Sequence, residues 1–485
     1  MRTKLKPAVA GIIALFGYAG VASAASVVTV APAIPHPKQN VTVTGTGFGD
    51  SEAIDIYLDT TDTLLIVSSA TGTFSATLAV PASAAPGRHY ATAIGRHSGD
   101  AAQVAFTVST PWAEYGFGHA HLGLNQYENT VNTTNVGSLG LLWSAATSPV
   151  LSGVAVVNGT LYTAGSAGIK AVAASSGSVV WTADATDTFY STPAVAGGIV
   201  YVGSISTSNL YAVLASNGTK KWTYALGSIT RSSPVVVNGI VYIGCNDDKV
   251  YAINASTGAL IWTYTTGDAV ASSPAVVDGV LYVGSVDHNL YALDATTGAL
   301  LWSFATGDAI YASPVVANGV VYIGSYDAKF YAIRGGAAGG TQIWSYTTGS
   351  AIYGAAAFFN NKVIVGSDDH SLYEFNARTG ALNWIVNTGE VIDGTPSIAN
   401  GIVYVGTDGG TLLMIDALYG YVDNSIVAPP YILAQPAISD GVLYFNGEDS
   451  NKTFAYALGG GTDQVKRPVP KISSLRPDMR LAVTK

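Results

Sequence analysis

SSPVVVNGIVYIGCNDDKVYAINASTGALIWTYTT, residues 232–266, holds one complete repeat of this chain. A β-branched run from Pro234 to Val237 meets Asn238-Gly239, and a second apolar run follows from Ile240 to Ile243. Asn-Gly between two such runs predicts a hairpin, because a type I′ turn needs positive φ at both central residues. A polar turn around Asp247 leads to a third strand, Val250 to Asn254, and Thr257-Gly258 turns into a fourth, Ala259 to Thr263. The hairpin signal returns at Asn158-Gly159, Asp278-Gly279, Asn318-Gly319, Asn400-Gly401 and Asp440-Gly441. Trp262 belongs to a series, Trp143, Trp181, Trp222, Trp262, Trp302, Trp344 and Trp384, with gaps of 38, 41, 40, 40, 42 and 40 residues. A period near 40 filled with strands predicts a radial array of four-stranded antiparallel sheets.

Six of these Trp stand four residues after a Gly, in stretches such as AINASTGALIW (252–262) and ALDATTGALLW (292–302). The pattern A-x-D/N-A-x-x-G-x-x-x-W resembles the tryptophan-docking motif of the pyrroloquinoline quinone (PQQ) propeller repeat family, over about residues 111–460. WD40 and kelch repeats fit poorly, since Trp-Asp dipeptides and paired-Gly strands do not recur. First strands starting near Gly153, Thr192, Ser233, Ser273, Ser313, Ala355, Thr395 and Gln435 give eight blades. The last repeat has three strands and no Trp, whereas Leu141-Leu142-Trp143 has the fourth-strand pattern with no strands before it. The N-terminal strand is therefore expected to complete the C-terminal blade, closing the ring and removing its exposed sheet edges. Blade seven has Asn424 in place of the Trp, which predicts a more weakly packed outer edge. The chain reads as all-β: an eight-bladed propeller over 141–460, closed by an N-terminal strand and preceded by a lead-in over 111–140.

Residues 26–110 differ in texture, with short strands (Val41–Thr46, Ala53–Leu58, Thr73–Val80, Gln103–Val108) and turns such as Gly45-Thr46-Gly47-Phe48-Gly49. This resembles a bacterial immunoglobulin-like (IPT/TIG-type) sandwich, a module that acts as a spacer or adhesive stalk. Residues 1–24 have a basic start (Arg2, Lys4, Lys6), an apolar core from Ala8 to Val21 and Ala22-Ser23-Ala24, which reads as a secretory signal peptide. The single Cys, Cys245, offers no lipidation site after cleavage, unlike the outer-membrane assembly lipoproteins with this propeller. No second apolar span follows, so no transmembrane anchor is expected and the destination is periplasm, cell surface or medium. The formal charge is −9, and 6 of the 22 basic residues fall in the tail 461–485. An acidic body in an exported protein argues against nucleic acid as a partner.

Candidate sites are few. Asp247, Asp287, Asp327 and Asp369 recur on separate blades, too far apart to share an ion, and each is expected to cap its own turn. His119-Ala120-His121 lacks a third ligand nearby, so no metal is assigned. The resemblance implies that the residue just before the S-x-P start of each first strand faces the mouth of the central channel: Leu151, Tyr190, Arg231, Ala271, Tyr311, Tyr353, Asp393 and Leu433. The repeats agree closely elsewhere and diverge here. Two readings stand: a water-filled channel with an unconstrained mouth, or a ligand site built on Tyr190, Arg231, Tyr311, Tyr353 and Asp393. Its ligand would be a protein, peptide, glycan or small anion. PQQ dehydrogenases stack their cofactor between a channel Trp and a disulfide of adjacent Cys, near Ca²⁺ held by Glu and Asn. One Cys, seven Trp on outer strands with Trp112 in the lead-in, and no Glu in the mouth column leave no such site, so no cofactor is expected. The first expectation is a non-catalytic exported binding or scaffolding propeller. The alternative is a secreted hydrolase of a small anion, of tetrathionate type, with Arg231 holding the anion and Asp393 as general base.

Overall fold

A computed structural model describes residues 25–148, 152–428, 431–448 and 450–460. The expected signal peptide, the basic tail and Leu151 of the mouth column lie outside these residues. The chain divides into two compact units. One comprises the described part of Met1–Pro35 with Gln39–Val80 and Arg88–Thr107; the other comprises His36–Lys38, Pro81–Gly87 and the described part of Val108–Lys485.

The first unit is built on two antiparallel sheets. Val27–Ala31, Asn40–Thr46 and Phe74–Ala79 form one; Thr61–Val67, Ala53–Leu58, Gly87–Gly95 and Ala101–Val108, in that spatial order, form the other. Alternate residues point inward, so Val41, Val43, Ile54, Ile56, Phe74, Ala76, Leu78, Ala91 and Ala93 are buried while their neighbours face out. Three of these strands, Val27–Ala31, Thr61–Val67 and Gly87–Gly95, lie outside the strands expected from sequence. GRHYATAIG, for example, buries only small Ala and Gly at its paired positions.

The second unit is a β-propeller. Among the described residues it contains eight sheets of consecutive antiparallel strands, spanning 155–183, 194–225, 235–265, 275–305, 315–347, 357–387, 397–427 and 437–458. The strands begin two residues after the starts expected from sequence. The hairpin between first and second strands is the predicted one: Asn238 and Gly239 have φ of 49° and 76°. Gly197-Gly198 and Asn360-Asn361 make the same turn where the sequence shows no Asn-Gly or Asp-Gly. Second and third strands are covered on both faces by neighbouring sheets, as in Val280–Gly284, where every residue is buried. Fourth strands alternate, as befits an outer edge.

Every sheet but the seventh carries a Trp that lies against the next sheet. Trp222 of the second sheet lies against Gly258 of the third, where a Cβ would stand only 2.7 Å from the indole. Its Nε1 donates to the Ala255 carbonyl at 3.0 Å. The same pairing joins Trp181 to Ala215, Trp262 to Ala295 and Trp344 to Ala377. The Gly and Ala of the motif are thus the receptor for the previous sheet's indole. Tyr201, Tyr242 and Tyr322 flank the indoles, and their hydroxyls donate to the same carbonyls.

Leu139–Ala146 pairs antiparallel with Lys452–Leu458 as the fourth strand of the eighth sheet, with Trp143 opposite Ala455. Trp143 then donates to the Ala174 carbonyl of the first sheet at 2.8 Å. The first strands touch in cyclic order, Ala437–Ser439 meeting Ala155–Val157. Asn424 corrects the expectation of a weak outer edge on the seventh sheet. Its Nδ2 donates to the Val136 carbonyl at 2.9 Å, and the 3-10 turn Val136–Ser138 packs there with Val136 buried. Removing residues 139–146 should abolish cooperative unfolding, and Trp143→Ala should cost about 3–5 kcal/mol in urea melts. A deletion variant that melts as sharply as the parent, at the same temperature, would refute the strand exchange.

Candidate functional site

The first strand of each sheet is an inner edge, with backbone groups that need partners. The lead-in supplies them. Trp112 exchanges two backbone bonds with Val156 of the first sheet (2.8 and 2.6 Å), and the Ala113 carbonyl accepts from Val195 of the second. The carbonyls of His119, Ala120, Leu122 and Gly123 accept from Val276, Val316, Phe358 and Ile398 of the fourth to seventh sheets. Leu124-Asn125 runs parallel to Ile398-Ala399, and Asn125 Nδ2 donates to the Ile438 carbonyl of the eighth. This segment winds across the inner strands of seven sheets and obstructs the channel, which makes the mouth a cup.

The cup is a cavity of about 350 Å³. Tyr190, Arg231, Tyr311, Tyr353 and Asp393 all line it, together with Ala271 and Leu433 of the same column. Its collar is a chain of hydroxyls between sheets: Thr192, Ser233, Ser273 and Ser313 side chains accept from the backbone N–H of Gly153, Thr192, Ser233 and Ser273. Tyr115 enters from the lead-in, its hydroxyl 2.9 Å from Thr395 Oγ1, and burial raises its pKa.

The guanidinium of Arg231 lies 5.6 Å from the Tyr190 ring centre. It also acts on Tyr353: burial raises that phenol's pKa, and the charge and hydrogen bond of Arg231 pull it back. Tyr311 and Tyr353 stack at 5.6 Å and 19°, with Tyr326 against both. Asp393 is also displaced from its ordinary state. Burial, then a hydrogen bond and charge from Asp368, then the charge of Asp408, push its pKa up to about 8. One oxygen of each of these three carboxyls is buried without a hydrogen-bond partner. Arg231 and Asp393 line one cavity yet form no ion pair. Crowded by Asp368 and Asp408, Asp393 holds a proton well above the usual carboxylate range, which suits it to donate and would weaken it as the general base of the alternative hydrolase reading.

Tyr326, Asp368 and Asp408 were missed in the sequence, although a signal exists. They follow the Ser or Thr that ends the second strand, and that column (Asn246, Val286, Tyr326, Asp368, Asp408) diverges as the mouth column does. The next position behaves as expected of a turn cap and does more. Asp287 accepts from Asn289 N (2.9 Å), from Tyr291 Oη (2.6 Å) and from Gly267 N (2.6 Å) on the preceding inter-sheet link. His121 is buried with Nδ1 at 3.2 Å from the Pro314 carbonyl, and desolvation lowers its pKa to about 3. His119 Nδ1 lies 2.8 Å from Glu114 Oε1. Among the described residues no three His, Cys, Asp or Glu side chains are placed to hold a metal ion.

The residues do not fit PQQ. Trp112 is buried in the lead-in at 1% exposure and does not line the cup, whose aromatic faces are all Tyr. Cys245 is buried in the third sheet, its thiol pKa pushed up to about 12 chiefly by desolvation.

Residues 146–451 match a protein family described as "Beta-alanine-activating enzyme, beta-propeller". No curated protein matches the sequence. Among solved structures, BamB from Moraxella catarrhalis superposes with a TM-score of 0.57 at 19% identity, covering 66% of this chain and 98% of that one. The quinohemoprotein alcohol dehydrogenase ADHIIG from Pseudomonas putida gives 0.63 at 17% identity, covering 76% and 82%. That from Comamonas testosteroni gives 0.62 at 16%, covering 74% and 82%. At these identities the likeness is one of fold. Among the described residues no helix is long and apolar enough to cross a membrane.

Two measurements probe the site. Asp393 has a folded pKa above its unfolded value, so the stability it contributes is complete below about pH 4 and is lost as pH rises to about 8. Asp393→Asn should therefore melt above the parent at pH 8, with the gap closing on acidification; a gap that widens in acid would contradict this. PQQ with Ca²⁺ should leave the melting curve in place, whereas a ligand at 100 times its dissociation constant would stabilise by about 2.7 kcal/mol.

Proposed function

The chain belongs to the β-propeller family of the beta-alanine-activating enzyme description, and on that premise we propose that it is a non-catalytic binding propeller whose ligand site is the cup. In this reading the ring has eight blades, the first unit is an immunoglobulin-like spacer, and residues 1–24 direct export to the periplasm, cell surface or medium. The observation that carries the reading is the convergence of Tyr190, Arg231, Tyr311, Tyr353 and Asp393 on one cavity obstructed from the other end by the lead-in. Five side chains that differ from repeat to repeat form a concave surface of three Tyr with two oriented polar groups, which is the make-up of a small-ligand site. A volume of about 350 Å³ suits a small molecule, the end of a glycan or the end of a peptide.

Hydrolysis of a small anion is the second reading, favoured by Arg231 at the rim. It requires Asp393 as a base, and its carboxyl is protonated below about pH 8. Such an activity would appear only in alkaline solution.

A panel of peptides, oligosaccharides and small anions, screened by native mass spectrometry, tests the binding role. Ligands that bind should be lost in Tyr190→Ala and Tyr311→Ala, with melting temperatures close to the parent's because mouth side chains contribute little packing. Ligands retained by both variants would place the binding surface elsewhere.

A further inference from the structure

Among the described residues Arg231 and Asp393 are the only carboxylic or basic side chains lining the cup; the others there are Tyr, Ser, Thr, Gln or apolar. Resting on the cup as a ligand site, we propose that its ligand is a small organic carboxylate, with the anionic end on Arg231 and a flat body over Tyr311 and Tyr353. Among the described residues Arg231 forms no ion pair, so its positive charge faces the cavity uncompensated. A guanidinium presents a planar fork of N–H donors that matches the two oxygens of a carboxylate. Tyr190 beneath it and Tyr353 beside it restrict where that fork can point. The Tyr311 and Tyr353 rings, 19° from parallel, present adjoining faces on which a planar group can lie.

Asp393 would ordinarily repel such a ligand. It does not here, because Asp368 and Asp408 crowd it and its carboxyl stays protonated, a hydrogen-bond donor toward a ligand oxygen. The groups that act on it or feel its charge are Asp368, Asp408, Tyr326 and Tyr353; Glu390 acts on Asp408, and Arg231 lies beyond Tyr353. None supplies a cation in contact with Asp393. As pH rises through about 8 the carboxyl ionises, and a bound carboxylate then meets a second negative charge across the cup. Affinity should fall in that window, although the carboxylate ligand and Arg231 are fully charged throughout it.

The test is calorimetry on the full chain with three probes of one shape: benzoate, benzamide and benzylamine. Benzoate should bind saturably and roughly tenfold to a hundredfold more tightly than benzamide, as for a hydrogen bond to a charged group. Benzylamine should not bind. R231Q should abolish the preference for benzoate at an unchanged melting temperature, and R231K should restore part of it. Benzoate affinity should drop between about pH 7 and about pH 9, and D393N should remove that drop. Benzamide or benzylamine binding as tightly as benzoate, in a manner lost with Tyr311→Ala, would overturn the carboxylate assignment and leave the cup as a ligand site. Benzoate binding that R231Q leaves intact would overturn it too. No binding of any probe, together with an empty panel for the cup, would overturn both.

Discussion

An indole laid on a glycine of the next sheet is the contact on which the whole propeller depends. The Gly has positive φ and no Cβ, so the ring of the preceding Trp can sit flat on its backbone. The Ala carbonyl three residues earlier takes the indole N–H. Both halves are local to one turn, yet the bond joins two sheets, at the outer end of an interface that is apolar in the middle and closed at the mouth by the Ser and Thr hydroxyls. Stability in such an array is a sum of nearest-neighbour terms. A break at one dock is therefore felt as the loss of one interface, and the ring opens there.

The exceptions to the dock show what substitutes for it. Trp302 finds the Gly336 carbonyl, because Gly335 to Gly340 replace the usual turn. Trp384 sits on Gly420 but its Nε1 is buried without a hydrogen-bond partner. The same sheet holds Glu374 fully buried where its counterparts carry Ala252, Ala292 and Ala332. Lys362 and Asn383 hold that carboxylate at 2.6 and 2.5 Å. A buried ion pair costs desolvation that a well-packed Ala does not. The seventh sheet then replaces the Trp itself by Asn424 and borrows a turn from the lead-in. Apart from Trp302, these departures fall at the sixth and seventh sheets, which also supply Asp368 and Asp408.

Most of the scaffold was legible because its signals are side chains with fixed offsets: Asn-Gly at hairpins, Gly and Trp at docks, Asp at the second turn. The mouth column was legible through the family resemblance, which placed it, and its divergence from repeat to repeat then marked it out. The path of the lead-in was not. Ala113, His119, Ala120 and Leu122 meet the inner strands through their carbonyls, and a carbonyl is the same in every residue. Nothing in the side chains announces that this stretch fills the inner edge of seven sheets. The state of Asp393 was hidden likewise. Its neighbours lie 25 residues upstream and 15 downstream and meet it only when the sixth and seventh sheets stand side by side.

The same separation of tasks explains why the cup tolerates groups that a core would not. The docks and hairpins hold each first strand in place without using the residue that precedes it. A Tyr, an Arg or a carboxyl can stand there at little cost to the ring. Crowding three carboxyls on one side of the mouth does carry a cost, since each leaves an oxygen buried and unpaired. It also gives the mouth two unlike sides, a solvated cation on the third sheet and a protonated acid beside the seventh. A ring of identical repeats cannot orient a ligand, because every approach is equivalent. A cation on one side of the mouth and a carboxyl crowded by two others on another break that symmetry, and a molecule bound there would meet a single preferred direction.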